Sequence, residues 1–237
     1  LDNATRYYFR VSAVNTKGYE GTASASVDIT PTYSGPVWWV STSGSDNNEG
    51  SSGSPFASIS HAMDHVSAGD TVMIKPGTYS GSGNREIEIS SNNSIADFSK
   101  YKNLVITSEK GADSTIIDAN NQGRHFTIVG NQQNTIDSTL QFIGLTFSGG
   151  QRSDYGGSFY IATQDYYDNN SNKNRAAQMQ PKFKDCVFRD NQVGGDNDGG
   201  YGGAFWIDRG SAIFENCVFD SNYAAGGGGA FNIGGDW

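Results

Sequence analysis

Apolar and polar residues alternate in short runs along this chain, and the runs are separated by Gly, Asn, Ser and Asp. That is the period-2 signature of half-buried β-strands joined by frequent turns. In the last hundred or so residues the pattern repeats. Phe183-x-x-Cys186-x-Phe188-x-x-Asn191 recurs as Phe214-x-x-Cys217-x-Phe219-x-x-Asn222, and a looser copy reads Phe142-x-x-Leu145-x-Phe147-x-x-Gly150. A glycine-led apolar run follows each copy: Gly156-Gly157-Ser158-Phe159, Gly202-Gly203-Ala204-Phe205 and Gly228-Gly229-Ala230-Phe231. An isoleucine stands two residues further on, at Ile161, Ile207 and Ile233. Cys186 and Cys217 are 31 residues apart, but Gly202 and Gly228 only 26, so the strands keep their pattern while a loop shortens. Stacked coils vary in this way, because apolar positions must stay in line to bury one another and loops need not. The pattern predicts an all-β solenoid, a parallel β-helix with ladders Phe142/183/214, Phe147/188/219, Phe159/205/231 and Ile161/207/233 facing inward. Asn191 and Asn222 are expected to stack their amides at one corner.

Earlier elements are read from the same alternation. Residues 1–31 form a β-hairpin: Tyr7, Phe9, Val11 and Ala13 alternate, Asn15-Thr16-Lys17-Gly18 turns, and 23–29 alternates again. Residues 32–36 form a linker. A short helix is predicted over 58–67, where Ile59, Ala62, Met63 and Val66 share one face and Gly69 ends it. Strands are predicted at 71–75, 86–89, 104–107, 115–118, 125–129 and 140–147. With coils of roughly 22 to 31 residues there is room for seven or eight of them. Residues 165–180, rich in Tyr, Asn and Gln, interrupt the repeat as a long inserted loop.

Charge narrows the function classes. A net charge of −9 argues against nucleic acid, which is bound by Lys and Arg neutralising phosphates. No run approaches the roughly 20 apolar residues of a membrane span. Two cysteines are too few for a disulfide scaffold. Both ends read as cut from a longer polypeptide.

Three resemblances follow from these motifs. Leu1, Tyr7, Phe9, Val11, Ala13, Asn15 and Gly18 resemble the last two strands of a fibronectin type III domain, over residues 1–33. Val40-Ser41-x-x-Gly44-x-Asp46, Pro55-Phe56-x-Ser58-Ile59-x-x-Ala62 and Gly69-Asp70-Thr71-Val72-x-x-x-Pro76-Gly77-Thr78-Tyr79 resemble the cap and first coil of pectate-lyase-like β-helices. The Gly-Gly-Ala-Phe and Phe-x-x-Asn elements are similar to repeats of chlamydial polymorphic membrane proteins, which are surface passengers and adhesins. Together these imply a right-handed parallel β-helix over residues 37–237 with a short N-terminal helical cap. They also imply an extracellular or cell-surface location.

Candidate chemistry is sparse. If Phe205 and Ile207 face inward, Trp206 faces outward, with Tyr160 and Asn232 in the same slot of adjacent coils and Tyr155 and Tyr201 in the glycine loops. Such a strip suits sugar rings or a partner protein. Asp46, Asp196 and Asp198 sit in acidic loops whose oxygens suit Ca²⁺, although neither loop has EF-hand spacing. His61 and His65 have a metal-compatible spacing but no third ligand. Cys186 and Cys217 are read as stacked core thiols, with a disulfide or metal site as the alternatives. Lyase chemistry needs stacked carboxylates beside a Lys or Arg base. The repeats instead align Lys184 with Glu215, Asp185 with Asn216 and Arg189 with Asp220. The favoured reading is a monomeric, non-catalytic segment that binds a polysaccharide or cell-surface glycoconjugate without a required cofactor. The alternatives are a polysaccharide lyase or hydrolase and a structural stalk.

Overall fold

A computed structural model describes residues 5–90, 98–131, 135–163, 167–168, 173–174, 179–194 and 199–234. The chain divides into two compact units, residues 1–34 and 35–237. In the first, Tyr7–Phe9 pairs antiparallel with Val27–Ile29. The Asn15 side-chain oxygen accepts from the N–H groups of Lys17 (2.9 Å) and Tyr19 (3.1 Å), closing the turn that Gly18 completes at φ 81°. Tyr8, Val11 and Val27 are all well exposed, so this hairpin assembles no core of its own.

The second unit is a right-handed parallel β-helix with three long sheets and a short fourth one, in which Gln151–Arg152, Gln192–Val193 and Tyr223–Ala224 pair in parallel. Sheet A stacks Val37–Val40, Thr71–Ile74, Val105–Ser108, Gln141–Ile143, Lys182–Lys184 and Ile213–Glu215. Sheet B stacks Gly77–Tyr79, Thr115–Asp118, Thr146–Ser148, Val187–Arg189 and Val218–Asp220. Sheet C stacks Ile87–Ser90, Phe126–Gly130, Phe159–Thr163, Phe205–Asp208 and Phe231–Gly234. Five A–B–C coils therefore follow one leading strand among the described residues, fewer than the seven or eight expected. The register shows why. Coils take 34 residues (Thr71 to Val105), 36 (Val105 to Gln141), 41 (Gln141 to Lys182) and 31 (Lys182 to Ile213). The shortest coil is the one that the repeat made visible.

The stretch 140–147, read as one strand, is two. Gly144, at φ 63°, bends the chain from sheet A to sheet B, and Asp185 (53°) and Asn216 (51°) repeat that bend in the next coils. A second bend follows at Gly149 (66°), Asp190 (55°) and Ser221 (53°). Gly, Asp and Asn tolerate this left-handed conformation better than most residues. Hydrogen bonding continues through the corner, with Gly144 N–H donating to Lys184 O (2.9 Å) and Asp185 N–H to Glu215 O (2.8 Å).

Inside, phenylalanines stack as the repeat predicts. Ring centroids are 5.0 Å apart for Phe142–Phe183, 5.4 Å for Phe147–Phe188 and 5.0 Å for Phe159–Phe205, all within 12° of parallel. Phe126 begins the third ladder one coil earlier, 5.3 Å from Phe159. Between ladders the rings meet edge to face, as at Phe147–Phe159 (4.9 Å, 85°) and Phe188–Phe205 (4.7 Å, 74°). Stacked and T-shaped contacts both suit the aromatic quadrupole. Phe142, Phe147, Phe183 and Phe188 are fully buried. In the last described coil Phe214, Phe219 and Phe231 are half-buried and Ile233 is 60% exposed.

At the corner after sheet B, the buried Asn191 replaces the backbone pairing that a bend breaks. Its Oδ1 accepts from Gly150 N–H (2.8 Å), and its Nδ2 donates to Phe147 O (3.1 Å) and Asn222 Oδ1 (3.0 Å). Asn222 repeats the bond to Phe188 O (2.9 Å). The first glycine of each pair takes positive φ at Gly156, Gly202 and Gly228. A Cβ on Gly202 would lie 2.0 Å from Phe205 O, and one on Gly203 2.1 Å from Gly229 O in the next coil, so neither position admits a side chain.

The helix Ile59–His65 is capped by Ser58, whose Oγ accepts from His61 N–H (3.2 Å), and buries Ile59, Ala62 and Met63 against the first strands. Beneath it Trp38 Nε1 donates to Asp70 Oδ2 (2.8 Å). Among the described residues no helix is long and apolar enough to cross a membrane.

Two predictions follow from this core. Phe188→Ala removes one ring that contacts both neighbouring ladders, and should lower unfolding free energy by about 3–5 kcal/mol in a denaturant titration. A loss below about 1 kcal/mol would contradict a ladder-supported core. The second concerns His125, which is fully buried. Its Nε2 lies 3.0 Å from Ile117 O and 3.1 Å from Ser148 O, and its Nδ1 lies 2.9 Å from Ser158 Oγ. Burial pulls the imidazole down to about 4, outweighing the carbonyl contacts and the nearby Asp118. The unfolded chain binds the proton nearer 6.5, so the contribution is complete above about 6.5 and is lost as pH falls towards about 4. Roughly 3 kcal/mol of stability should disappear across that window. His125→Gln should flatten the pH dependence measured by urea midpoints; an unaltered slope would assign it elsewhere.

Candidate functional site

Sheet C carries an aromatic row on its outer face. Register places Glu88, Thr127, Tyr160, Trp206 and Asn232 in one column, with Phe159 and Ile161 pointing the other way into the core. Beside it the glycine loops stack Tyr155 on Tyr201, and Tyr201 on Gly227, through isolated parallel bridges. The two columns meet. Tyr155 and Trp206 ring centroids are 4.4 Å apart, Tyr201 and Trp206 6.0 Å, and Tyr155 and Tyr201 6.2 Å at 17°. Tyr155 and Tyr201 are 39% and 37% exposed, while Tyr160, Trp206 and Asn232 are half-buried. Trp206 lies over the backbone of the next coil, where a Cβ on Gly234 would fall 2.5 Å from its ring. The double glycines thus do two things: they permit the turn, and they hold Tyr155 and Tyr201 beside Trp206.

A charged collar borders the rings. Arg124 is buried, and its Nη2 donates to Tyr155 O (2.6 Å) and Asp154 Oδ1 (3.2 Å). Its guanidinium carbon sits 5.0 Å from the centre of the Tyr160 ring. Arg124 Nε has no oxygen partner, and the negative π face of Tyr160 is the compensating surface. Arg152 reaches Glu86 Oε1 (3.2 Å) and Asp154 Oδ1 (3.3 Å). Across the row Arg209 pairs with Asp208 (2.8 Å). Burial pushes the Asp154 carboxyl up, but the Tyr155 N–H together with Arg124 and Arg152 hold it below the usual carboxylate range. Tyr160 is raised by burial and by Asp208.

This collar was not visible in sequence because its members are far apart: Arg152 and Glu86 are separated by 66 positions. One signal was available. Register aligns Phe126 with Phe159, so Gly123-Arg124-His125-Phe126 is a further copy of Gly156-Gly157-Ser158-Phe159 with arginine at the second glycine.

The other candidates are placed differently. Asp46 is a loop staple: Oδ1 accepts from Ala57 N–H (2.9 Å) and Ser58 N–H (3.0 Å), and Oδ2 from Ser58 Oγ (2.8 Å). Burial raises its pKa, yet these bonds bring it below the ordinary value. Three hydrogen bonds thus tie its oxygens to the cap loop. Asp196 and Asp198 lie outside the described residues, as does most of the segment 164–178. The rings of His61 and His65 pack on Phe56 at 4.7 and 4.8 Å. Among the described residues no group of three or more His, Cys, Asp or Glu side chains is placed to hold a metal ion. A cleft of about 160 Å³ on sheet B is lined by Ala112, Asp113, Ile116, Thr146, Val187 and Arg189. It is smaller than the usual ligand pocket, and the Thr146 hydroxyl is already donated to Ala112 O (2.8 Å).

Comparisons with known proteins cover different parts of this frame. A family model described as "Protein of unknown function (DUF1565)" matches residues 42–139, the cap and first coils, and ends before the aromatic row. "Uncharacterized protein YwoF" of Bacillus subtilis (strain 168) is 50% identical over 46 residues, which are 19% of this chain and 10% of that protein. A solved structure titled "Rhamnogalacturonan lyase" is 17% identical with a TM-score of 0.41, covering 84% of this chain and 54% of that one. The chain thus spans about a tenth of the curated relative's length and about half of the lyase's.

The two cysteines occupy equivalent corner positions and are free thiols, Cys186 buried and Cys217 half-buried. The neighbouring Cys217 thiol, together with burial, pushes the Cys186 thiol up. The same contact, with backbone N–H groups, lowers Cys217 against the opposing effect of burial, and Cys217 is the more exposed of the two. They are therefore unequal, and equal inertness, the simplest consequence of two core thiols, is not expected. Near neutral pH a thiol reagent should add once to the folded protein, at Cys217, and reach Cys186 only on unfolding. Peptide mapping of the singly labelled species checks this; labelling at Cys186 first would refute it.

Proposed function

We propose that the β-helix binds a polysaccharide or cell-surface glycoconjugate through the outer face of sheet C and does not cleave it. The observation that carries this reading is the convergence of Tyr155, Tyr160, Tyr201 and Trp206 on one face, with Tyr155 and Trp206 at 4.4 Å. Aromatic faces of this kind stack on apolar faces of sugar rings, while polar neighbours take the hydroxyls. Arg124, Arg152, Glu86, Asp154, Asp208 and Arg209 supply such neighbours. Asn232 extends the row by one coil. In this proposal the chain is a monomeric segment of a secreted or surface-displayed bacterial protein, adhesin-like in use. Its coils are of the polymorphic-membrane-protein type, and the preceding hairpin is the end of a fibronectin type III domain.

The carboxylates beside the rings are what an enzymatic alternative would use, as a lyase or a hydrolase. A glycosidase needs one carboxyl held protonated as general acid. Asp154 is shifted the other way, by the Tyr155 N–H and the two arginines against the effect of burial, which favours binding over cleavage.

Trp206→Ala should weaken binding to a retained polysaccharide about 5- to 150-fold, the loss expected of an aromatic anchor worth roughly 1–3 kcal/mol. Affinity electrophoresis or calorimetry measures it, with circular dichroism confirming an unchanged fold. Uronate polymers incubated with the protein and Ca²⁺ should show no rise in ultraviolet absorbance from unsaturated product. A steady rise would establish a lyase, and unaltered binding by the variant would remove this face from the function.

A further inference from the structure

The same face carries information about the charge of its ligand. Three guanidinium groups border the rings, and each already has a carboxylate: Arg124 has Asp154, Arg152 has Glu86 and Asp154, and Arg209 has Asp208. The charges that act on the Tyr160 ring are Asp208, Arg124, Arg209 and Asp154, two of each sign. At the lower end of the column stands the exposed Glu88, and the whole chain carries −9.

We infer that the aromatic row of sheet C selects a neutral, hydroxyl-rich glycan and disfavours a uronate polymer; this rests on the binding reading above. A uronate chain brings a carboxylate with each acidic sugar. It would enter beside Asp154, Glu86 and Asp208, where three guanidinium groups are already balanced by three carboxylates, so the incoming charge meets like charge with no cation of the collar left over. Such like-charge juxtaposition is a means of exclusion as effective as any favourable contact. A neutral sugar meets no such competition. Its hydroxyls can donate to the collar carboxylates without breaking the ion pairs, because an ionised carboxylate offers about four acceptor sites. Glu86 Oε1 accepts from Arg124 N–H (2.9 Å) and from Arg152 Nη1 (3.2 Å), so Oε2 is the acceptor placed for this role. The side chains of Glu86 and Asp154 are 45% and 48% exposed, within reach of a chain lying on the rings.

The test compares two panels with the intact chain, galactan, mannan, xylan and β-glucan against galacturonan and alginate, each with and without Ca²⁺. Expected is retention by at least one neutral polymer, at least about tenfold stronger than by any acidic one. Its affinity should change less than about twofold between low and high salt, since no ion pair forms with the ligand. A preference below tenfold, or tight acidic binding that falls steeply with salt or depends on Ca²⁺, overturns the inference. In that case Trp206→Ala separates the two claims: loss of acidic binding keeps the aromatic face as the site and rejects only its neutrality. Binding by neither panel overturns both.

Discussion

Everything in the β-helix follows from one spacing. Strands of successive coils lie about 4.8 Å apart in the hydrogen-bonding direction, and their register is fixed residue for residue, as in Phe142↔Phe183↔Phe214. Equivalent side chains therefore sit one above another. A planar ring is well suited to that distance, and the observed centroid separations of 5.0–5.6 Å along the phenylalanine ladders are those of rings stacked in near-parallel planes. Because three ladders meet edge-on, Phe183 and Phe188 in the middle of the stack are held by rings above, below and beside them. A shift of one residue in any strand would turn its whole apolar set outward.

The other special residues answer the same constraint. A flat strand cannot turn a corner, so Gly144, Asp185 and Asn216 take left-handed backbone at one stacked position, and Asn191 and Asn222 carry hydrogen bonds where strand pairing is interrupted. Gly203 lies so close to Gly229 O that no side chain fits between coils. What is free to vary is the outer face. The column Glu88, Thr127, Tyr160, Trp206, Asn232 has no repeat of its own, since nothing in the core depends on it. Function can be written there without disturbing the fold.

This division explains what the sequence disclosed. The Phe and Gly-Gly repeats were legible because stacking demands identity at fixed offsets, and the outward slot of Trp206 followed from its inward neighbours Phe205 and Ile207 by strand alternation. The coil number was not legible, because the earlier coils replace phenylalanine with Ile106, Ile117 or Ile87, which fill the same slots without spelling the motif. Phe126 escaped for a related reason: arginine and histidine stand where the later copies have glycine and serine or alanine. Asp46 looked like an ion ligand from its neighbours' composition. Only the fold brings Ala57 and Ser58 back onto its carboxylate, 11 and 12 positions downstream.

Arg124 joins the core to the outer face, and its burial needs an explanation of its own. Removing a guanidinium from water is costly, and a buried ion pair is weak ground for stability, since apolar replacements are often as stable. Later coils confirm that the fold does not require it: Gly157 occupies the equivalent position. What Arg124 alone provides is position. One nitrogen holds the carbonyl of Tyr155 and the carboxylate of Asp154 while the guanidinium plane meets the Tyr160 ring, so a single side chain sets two of the four aromatic groups and one wall of the collar. Arg124 is thus a residue that the scaffold can do without, yet that orders a solvent-facing surface. That is the physical reason to look for function on sheet C and not in the aromatic core, however much more of the sequence the core commands.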